Sequence, residues 1–303
     1  MAPEGGDGVE KFPSRERSAA QTLQPRVSAV VVVRRLKSTP AAAMQLDLCL
    51  RSVLAEPWTD ELIVVDLDND PEVSSMLRAF QADRRDVKLV VADKAASVAS
   101  ALNAGAKQGR GRWLLFLSPD VVLQRGAVQR LASAGAEART PCVIGGRLTD
   151  MHGRDRCAVR AGALNAFSAI AVAMDLPSGR QRKRKGGATP ANVSAVSSAL
   201  MLMPRSDFLA LDGFDESFAT DGADLDLCHR AALAGGSVLF QPSASGMQFE
   251  RDQRGRRKAQ GLARFASKSA KTPLERLFAL VAEPALVSLL ALKDFVVGRP
   301  PLR

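Results

Sequence analysis

Two short apolar runs in the first half of the chain each stop at an aspartate: Leu62–Val65 at Asp66, and Trp113–Leu117 at Ser118-Pro119-Asp120. An acidic pair, Asp224 and Asp226, opens a helical-looking stretch, and Arg230 follows Asp226 by four residues, the spacing of a helix-surface ion pair. Carboxylates are hard oxygen donors that suit Mg²⁺ or Mn²⁺, and one within hydrogen-bond reach of a hydroxyl can take its proton. No Cys- or His-based nucleophile offers a rival chemistry. Cys49, Cys142, Cys157 and Cys228 are scattered without a C-x-x-C, and His152 and His229, the only histidines, read as surface residues. The same pattern argues against a zinc site or a disulfide framework and fits a reducing compartment.

The elements that must carry these residues follow a rhythm. Val27–Val33 is a β-branched run, and residues 41–54 carry apolar side chains mostly at helical spacing. Leu62–Val65 reads as a strand, 71–80 as a helix, 87–91 as a strand, 97–107 as a helix and 113–117 as a strand. Near-continuous apolar strands alternating with helices predict an α/β fold, a mostly parallel central sheet with helices on both faces. In such a sheet ligands bind beyond the carboxyl ends of the strands. Asp66 and Asp120, each at a strand end, are therefore expected at one rim. Later, 141–148, 196–203 and 238–240 read as strands and Asp224–Ala234 as a helix, its acidic first turn matched to the helix dipole.

Composition narrows the function classes. The chain has 303 residues, 46% hydrophobic and 24% charged, enough to build a sizeable core. Aromatics are only 5% with no Tyr, which disfavours surfaces that stack many bases. The net charge of +10 is local: 12 basic against 4 acidic residues lie from Arg251 onward, and Arg180, Arg182, Lys183, Arg184 and Lys185 form a second cluster. Such stretches suit phosphates or anionic lipid. No nucleic-acid motif accompanies them, so nucleic acid is not expected as a partner. Residues 1–25 are polar and aperiodic, a disordered lead-in without a secretory h-region. The expected organisation is 1–25, a domain over 26–250, and a basic, amphipathic helical tail over 251–303.

Four stretches, in order, resemble the family 2 glycosyltransferases of the GT-A fold, especially their rhamnosyltransferase-like branch, over roughly residues 27–250. ELIVVDLDND resembles the family's second strand with its nucleotide-contacting Asp. ALNAGAKQGRGRWLLFLSPDVVLQRGAV resembles the N-x-G helix, the next strand and the metal loop. SALMLMPRSDFLALDGFDESF is similar to the acceptor-side segment ending in G-F-D-E, and DGADLDLCHRAALAGGSVLFQPSA to the E-D-x-D-L-C-x-R helix and following strand.

The resemblance implies an inverting transfer from a nucleoside-diphosphate sugar to a hydroxyl. It assigns the catalytic base to Asp224. Donor binding falls to Asp66, with Asp68 and Asp70 as nearby substitutes, and with Asn103, Asp120, Asp226 and Arg230 around them; Arg34, from the residues themselves, is a cation placed to grip phosphate. Asp120 also becomes the ligand of a divalent metal, Mg²⁺ or Mn²⁺, that neutralises the diphosphate leaving group. Asp226 faces elsewhere on its helix and is expected to hold structure or the loop that closes over the donor.

The chain also departs from the family pattern. Arg34-Arg35-Leu36-Lys37 stands where Thr/Ser-x-Asn is usual, Ala95-Ala96-Ser97 where Asn-x-Gly is usual, Ser118 for the first metal-site Asp, Ala223 for a Glu, and Gln248 for a His. These departures define the alternative, a catalytically silent GT-A module that binds nucleotide or glycan in a polysaccharide-synthesis complex.

In the tail, residues 274–297 are strongly apolar but interrupted by Glu283, Pro284, Lys293 and Asp294. That pattern predicts an interfacial helix, kinked near Pro284, on an anionic membrane surface, and not a spanning one. With the resemblance, it places the protein at the cytoplasmic, inner face of a bacterial plasma membrane, acting on a lipid-linked glycan acceptor of lipopolysaccharide or exopolysaccharide type.

Overall fold

The computed structural model describes residues 26–82, 84–156, 159–160, 164–174, 189–219, 221–249 and 255–296. The lead-in 1–25, the basic cluster 180–185 and Cys157 lie outside the described residues. The first half alternates strand and helix: β1 (Val27–Arg34), α1 (Pro40–Leu54), β2 (Thr59–Leu67), α2 (Pro71–Ala82), β3 (Val87–Val91), α3 (Val98–Gln108), β4 (Trp113–Leu117), β5 (Val121–Leu123), α4 (Ala127–Gly135) and β6 (Cys142–Thr149). The second half follows with β7 (Val159–Arg160), α5 (Ser168–Ala173), β8 (Ala191–Asn192), β9 (Ala195–Val196), β10 (Leu200–Pro204), α6 (Arg205–Ala210), α7 (Ala223–Leu233), β11 (Ser237–Gln248), α8 (Gly255–Ser269) and α9 (Pro273–Val296).

The central sheet runs β3-β2-β1-β4-β10-β6-β11-β5, with β8 on β11. β3, β2, β1 and β4 are mutually parallel, and β6 and β11 share their direction; β10, β5 and β8 run against it. The expected α/β architecture is observed. β1 shows why its sequence is apolar at successive positions: Val30 and Val32 enter the core under α3, α7 and α8, while Val27, Ala29, Val31 and Val33 enter the opposite core under α1 and α2. With both faces covered, period-2 alternation vanishes. Gly105 lets α3 seat on this sheet, since a Cβ there would lie 2.5 Å from Val30 Cγ1 and 2.9 Å from Val65 Cγ2.

Two elements differ from the sequence-based expectation. The strand expected over 196–203 splits into β9 and β10. At the break, Ser197 Oγ accepts from the Ala199 N–H (3.2 Å) and the Ser198 N–H is taken by Asp224, so these donors leave the ladder. The short strand expected at 238–240 is the start of the twelve-residue β11, which shifts register between Gln241 and Ser245, around Pro242, as it passes from β6 toward β5.

The C-terminal helices belong to the core. Ala259, Leu262, Phe265 and Ala266 of α8 and Ala282, Leu286 and Leu290 of α9 are buried in the same cluster as α3 and α7. α9 continues through Pro284, whose missing N–H falls on the exposed side, where Leu280 is 81% accessible and water can serve its carbonyl. No described helix is long and apolar enough to cross a membrane.

Candidate active site

Strand register brings the acidic residues to one rim. Val31 lies opposite both Val64 and Leu117, so Asp66, two residues beyond Val64, and Ser118–Asp120, just beyond Leu117, lie at the same edge of the sheet. Leu117 in turn faces Leu200, and the Ser118 N–H donates to the Ala199 carbonyl (3.1 Å). The adjacent Ser198 N–H donates to Asp224 Oδ2 (3.1 Å). The 197–199 turn thus links the Asp120 loop to the helix that carries Asp224.

Where β1 and β2 leave the sheet, Asp66 is buried and accepts from Asn69 Nδ2 (2.7 Å). Asn69 also donates to the Val33 carbonyl (2.7 Å) and accepts from the Leu36 N–H (2.9 Å), which ties the exits of β1 and β2 together. Arg34 ends β1 opposite Leu67. Arg35 and Asp68 both adopt positive φ (46° and 53°) and pair at 2.5 Å. That hydrogen bond, with the field of Arg35, Lys94 and Arg34, holds the Asp68 carboxyl below its ordinary range. Asp68 therefore faces a cation already in place.

Asp120 occupies the turn between β4 and β5. Its Oδ2 accepts from Gln248 Nε2 (3.2 Å), and its carbonyl accepts from the Phe249 N–H (2.9 Å). Its Oδ1 is buried without a hydrogen-bond partner among the described residues. A buried carboxylate oxygen left unsatisfied is costly, and a bound cation is one way to satisfy it. The residues fit a divalent metal held by one carboxylate. No group of three or more His, Cys, Asp or Glu side chains suited to a metal occurs among the described residues, so other ligands would come from water and a diphosphate.

Asp224 sits in the first turn of α7, reached through Gly222 at φ +96°. Burial pushes its carboxyl above the ordinary carboxylate range, and Asp221 adds to this. The N–H donors of Ser198 and Leu225 offset only part. A carboxylate with a raised proton affinity is suited to accept a proton from a hydroxyl.

Asn103, Asp226 and Arg230 gather elsewhere, on the loop 211–216. Asn103 accepts from the Phe214 N–H (2.9 Å) and donates to the Phe214 carbonyl (2.8 Å) and Glu216 Oε1 (3.0 Å). Arg230 pairs with the buried Asp226 (2.7 Å), donates to the Gly213 carbonyl (2.7 Å) and also to the Leu211 carbonyl. Ser97, the N-cap of α3, donates to the Glu216 carbonyl (3.0 Å). These side chains hold the G-F-D-E loop in place. Asn69, and Lys268 of α8, whose Nζ lies 2.6 Å from Asp226 Oδ1, support the site without a sequence signal of their own. An Asn just after a strand-end Asp was the nearest available hint.

The fold is similar to solved glycosyltransferase structures. GalNAc-T7, solved with UDP, GalNAc and Mn²⁺, superposes with a TM-score of 0.60 at 16% identity, covering 92% of this chain and 59% of that one. Mannosyltransferase PcManGT from Pyrobaculum calidifontis, in complex with GDP-Man and Mn²⁺, gives 0.56 at 18% identity over 91% and 76%. TarS 1–349 of S. aureus gives 0.53 at 11% identity over 89% and 74%. At these identities the likeness establishes the fold, GT-A. The chain spans only 59% of the first neighbour's length. No curated protein matches it in sequence. The sequence model of glycosyl transferase family 2 matches residues 43–208, more than half of the chain, taking in the Asp66 strand, the Asn103 helix and the Asp120 loop. This chain belongs to glycosyl transferase family 2.

Proposed function

We propose that this glycosyltransferase is inverting and metal-dependent. It moves a sugar from a nucleoside-diphosphate donor to a hydroxyl of a lipid-linked cell-surface polysaccharide precursor. One observation carries the reading: a carboxylate with an unsatisfied buried oxygen (Asp120) and a carboxylate of raised proton affinity (Asp224) are joined through a single turn at the rim beyond the strands. Asp120 would hold the metal; when bound, a divalent cation supplies charge neutralisation at the leaving diphosphate. Asp66, fixed by Asn69, accepts from the nucleoside, with Asp68 and Arg34 beside it. Asp224 takes the proton of the attacking acceptor hydroxyl on the face opposite the leaving group. Asn103, Asp226 and Arg230 act through the 211–216 loop that borders the acceptor side.

Membrane association is supported by α9, which exposes Leu274, Leu277, Leu280, Val281 and Leu292 next to a basic stretch. An amphipathic helix with cations beside it suits an anionic lipid surface. This favours a peripheral enzyme at the cytoplasmic face of a bacterial membrane.

The test is turnover of a panel of UDP-, dTDP- and GDP-sugars with and without Mn²⁺, for the wild type and Asp224→Asn. Mn²⁺-dependent turnover that Asp224→Asn abolishes supports the reading. Mn²⁺-dependent nucleotide binding without turnover points instead to a silent GT-A module, which the Gln248 contact on Asp120 and the single-carboxylate metal loop would then explain.

A further inference from the structure

The family match ends at residue 208, ahead of the acceptor-side loop and of the C-terminal helices. Yet one face of α8 lies directly on that loop. Lys268 Nζ is 2.6 Å from Asp226 Oδ1 and 2.8 Å from Asp215 Oδ2. Arg264 Nε donates to Ser217 Oγ (2.7 Å), and its guanidinium lies 5.6 Å from the centre of the Phe218 ring. One turn earlier Gly261 meets the backbone that leads into Asp224: a Cβ on Gly261 would fall 1.9 Å from the Asp221 carbonyl oxygen. Positions 261, 264 and 268 are spaced three and four apart, so a single stripe of α8 makes all these contacts.

Lys268 differs from an ordinary surface cation in what it joins. The Asp226 side chain is only 3% exposed, with one oxygen on Arg230 and the other on Lys268. Arg230 passes from Asp226 to the Leu211 and Gly213 carbonyls, and Lys268 passes from it to Asp215. Asp226 is thus the common anchor of both ends of the loop. Phe214 and Phe218 of the loop are buried in the core, but the segment between them faces an open groove of about 660 Å³ between residues 215–219, α8 and α9, lined among others by Ser217, Gln260, Leu280 and Glu283. On that solvent side Asp215 and Ser217 are held by polar contacts from α8.

We infer that Lys268 is a positioning residue of the transfer reaction, which locks the 211–219 loop to the helix that carries Asp224 and makes the C-terminal helices part of the acceptor side. This rests on the transferase reading for its kinetic consequence and not for its structural one.

The experiment compares wild type, Lys268→Met and Lys268→Arg by hydrogen–deuterium exchange with UDP and Mn²⁺ present, and by turnover of whichever donor from the panel the wild type uses. Lys268→Met should raise exchange in 211–219 selectively, leaving β1–β4 and nucleotide affinity unchanged. It should also lower turnover ~10- to 100-fold by misplacing the acceptor side. Lys268→Arg should restore loop protection and most turnover. Asp215→Asn breaks only the outer half of the contact; it should show the same selective loosening to a smaller degree, and it carries the test if Lys268→Met fails to fold. Unchanged exchange in 211–219, or a rise shared equally by β1–β4, overturns the inference. If Asp224→Asn keeps full turnover while Lys268→Met loosens the loop, the transferase assignment fails and the positioning role stands. If Asp224→Asn abolishes turnover while Lys268→Met changes neither loop nor rate, only the positioning role fails.

Discussion

The two halves of the rim are built by different physics. On the proposed nucleotide side, Asp66 and Asp120 are placed by parallel strand register and by strands buried on both faces. On the proposed acceptor side, loop 211–219 is held by side chains from α3, α7 and α8, more than a hundred residues apart at the extremes. The first half depends on packing, which is spread over many contacts. In the second, Phe214 and Phe218 pack into the core, and a few charged hydrogen bonds fix the more exposed residues beside them.

Substitutions should separate the halves. The largest effect belongs to Asp224→Asn, which leaves the nucleotide side intact. Turnover should fall ~10²- to 10⁴-fold with Mn²⁺-dependent nucleotide affinity unchanged, measured by steady-state kinetics beside calorimetry. The same residue predicts a pH signature. Its proton affinity in the folded chain is above the ordinary carboxylate value, so the base is lost as pH falls, and the acid limb of kcat/KM should lie above the usual aspartate range. Linkage has the opposite sense. A buried carboxyl with a raised pKa disfavours folding at high pH, and that cost disappears as pH falls below its unfolded value. Stability at acid pH should therefore be less sensitive to Asp224→Asn than activity is.

Next, Asp226→Asn should break the anchor of the acceptor loop and leave two cations facing a neutral amide. The lost charge-assisted hydrogen bonds cost about 3 kcal/mol, since the Lys268 left behind is partly solvated, to be read from urea unfolding with nucleotide binding retained in the folded fraction. Leu62→Ala is the converse. It leaves a cavity in the core under α1 and α2, on the face of the sheet away from α3, costing about 3 kcal/mol, and should disturb nucleotide binding while leaving exchange in 211–219 unchanged. The smallest effect, about 1 kcal/mol, is expected from Ser97→Ala, which removes the α3 cap and one hold on Glu216 together. Equal perturbation of both halves by Asp226→Asn and by Leu62→Ala would contradict this division.

The same division explains what could be read from the chain alone. β1, β2, β3 and β4 were legible because each is a self-contained apolar run, and Asp66 and Asp120 because they end such runs. The break between β9 and β10 was hidden in an apolar stretch, since it depends on Asp224 capturing the Ser198 N–H from 26 residues away. β11 was hidden for the opposite reason: after Val238–Phe240 it is polar, and pairing with β6, β5 and β8 makes it a strand. Asp226 and Arg230 were visible as a pair four apart, but their targets, the Leu211 and Gly213 carbonyls, were not, because no local pattern encodes a contact to a distant backbone oxygen. Lys268 looked like one cation of a basic tail for the same reason.

The central claim is that distant carboxylates meet around one diphosphate. A crystal structure grown with Mn²⁺ and the nucleotide preferred in the donor screen tests it most directly, using the anomalous signal of manganese to locate the metal. The account predicts manganese on the Asp120 carboxylate, the nucleoside against Asp66 and Asp224 facing the diphosphate's sugar end. Manganese and nucleotide seated elsewhere, for instance in the cavity between α8 and α9, would contradict it.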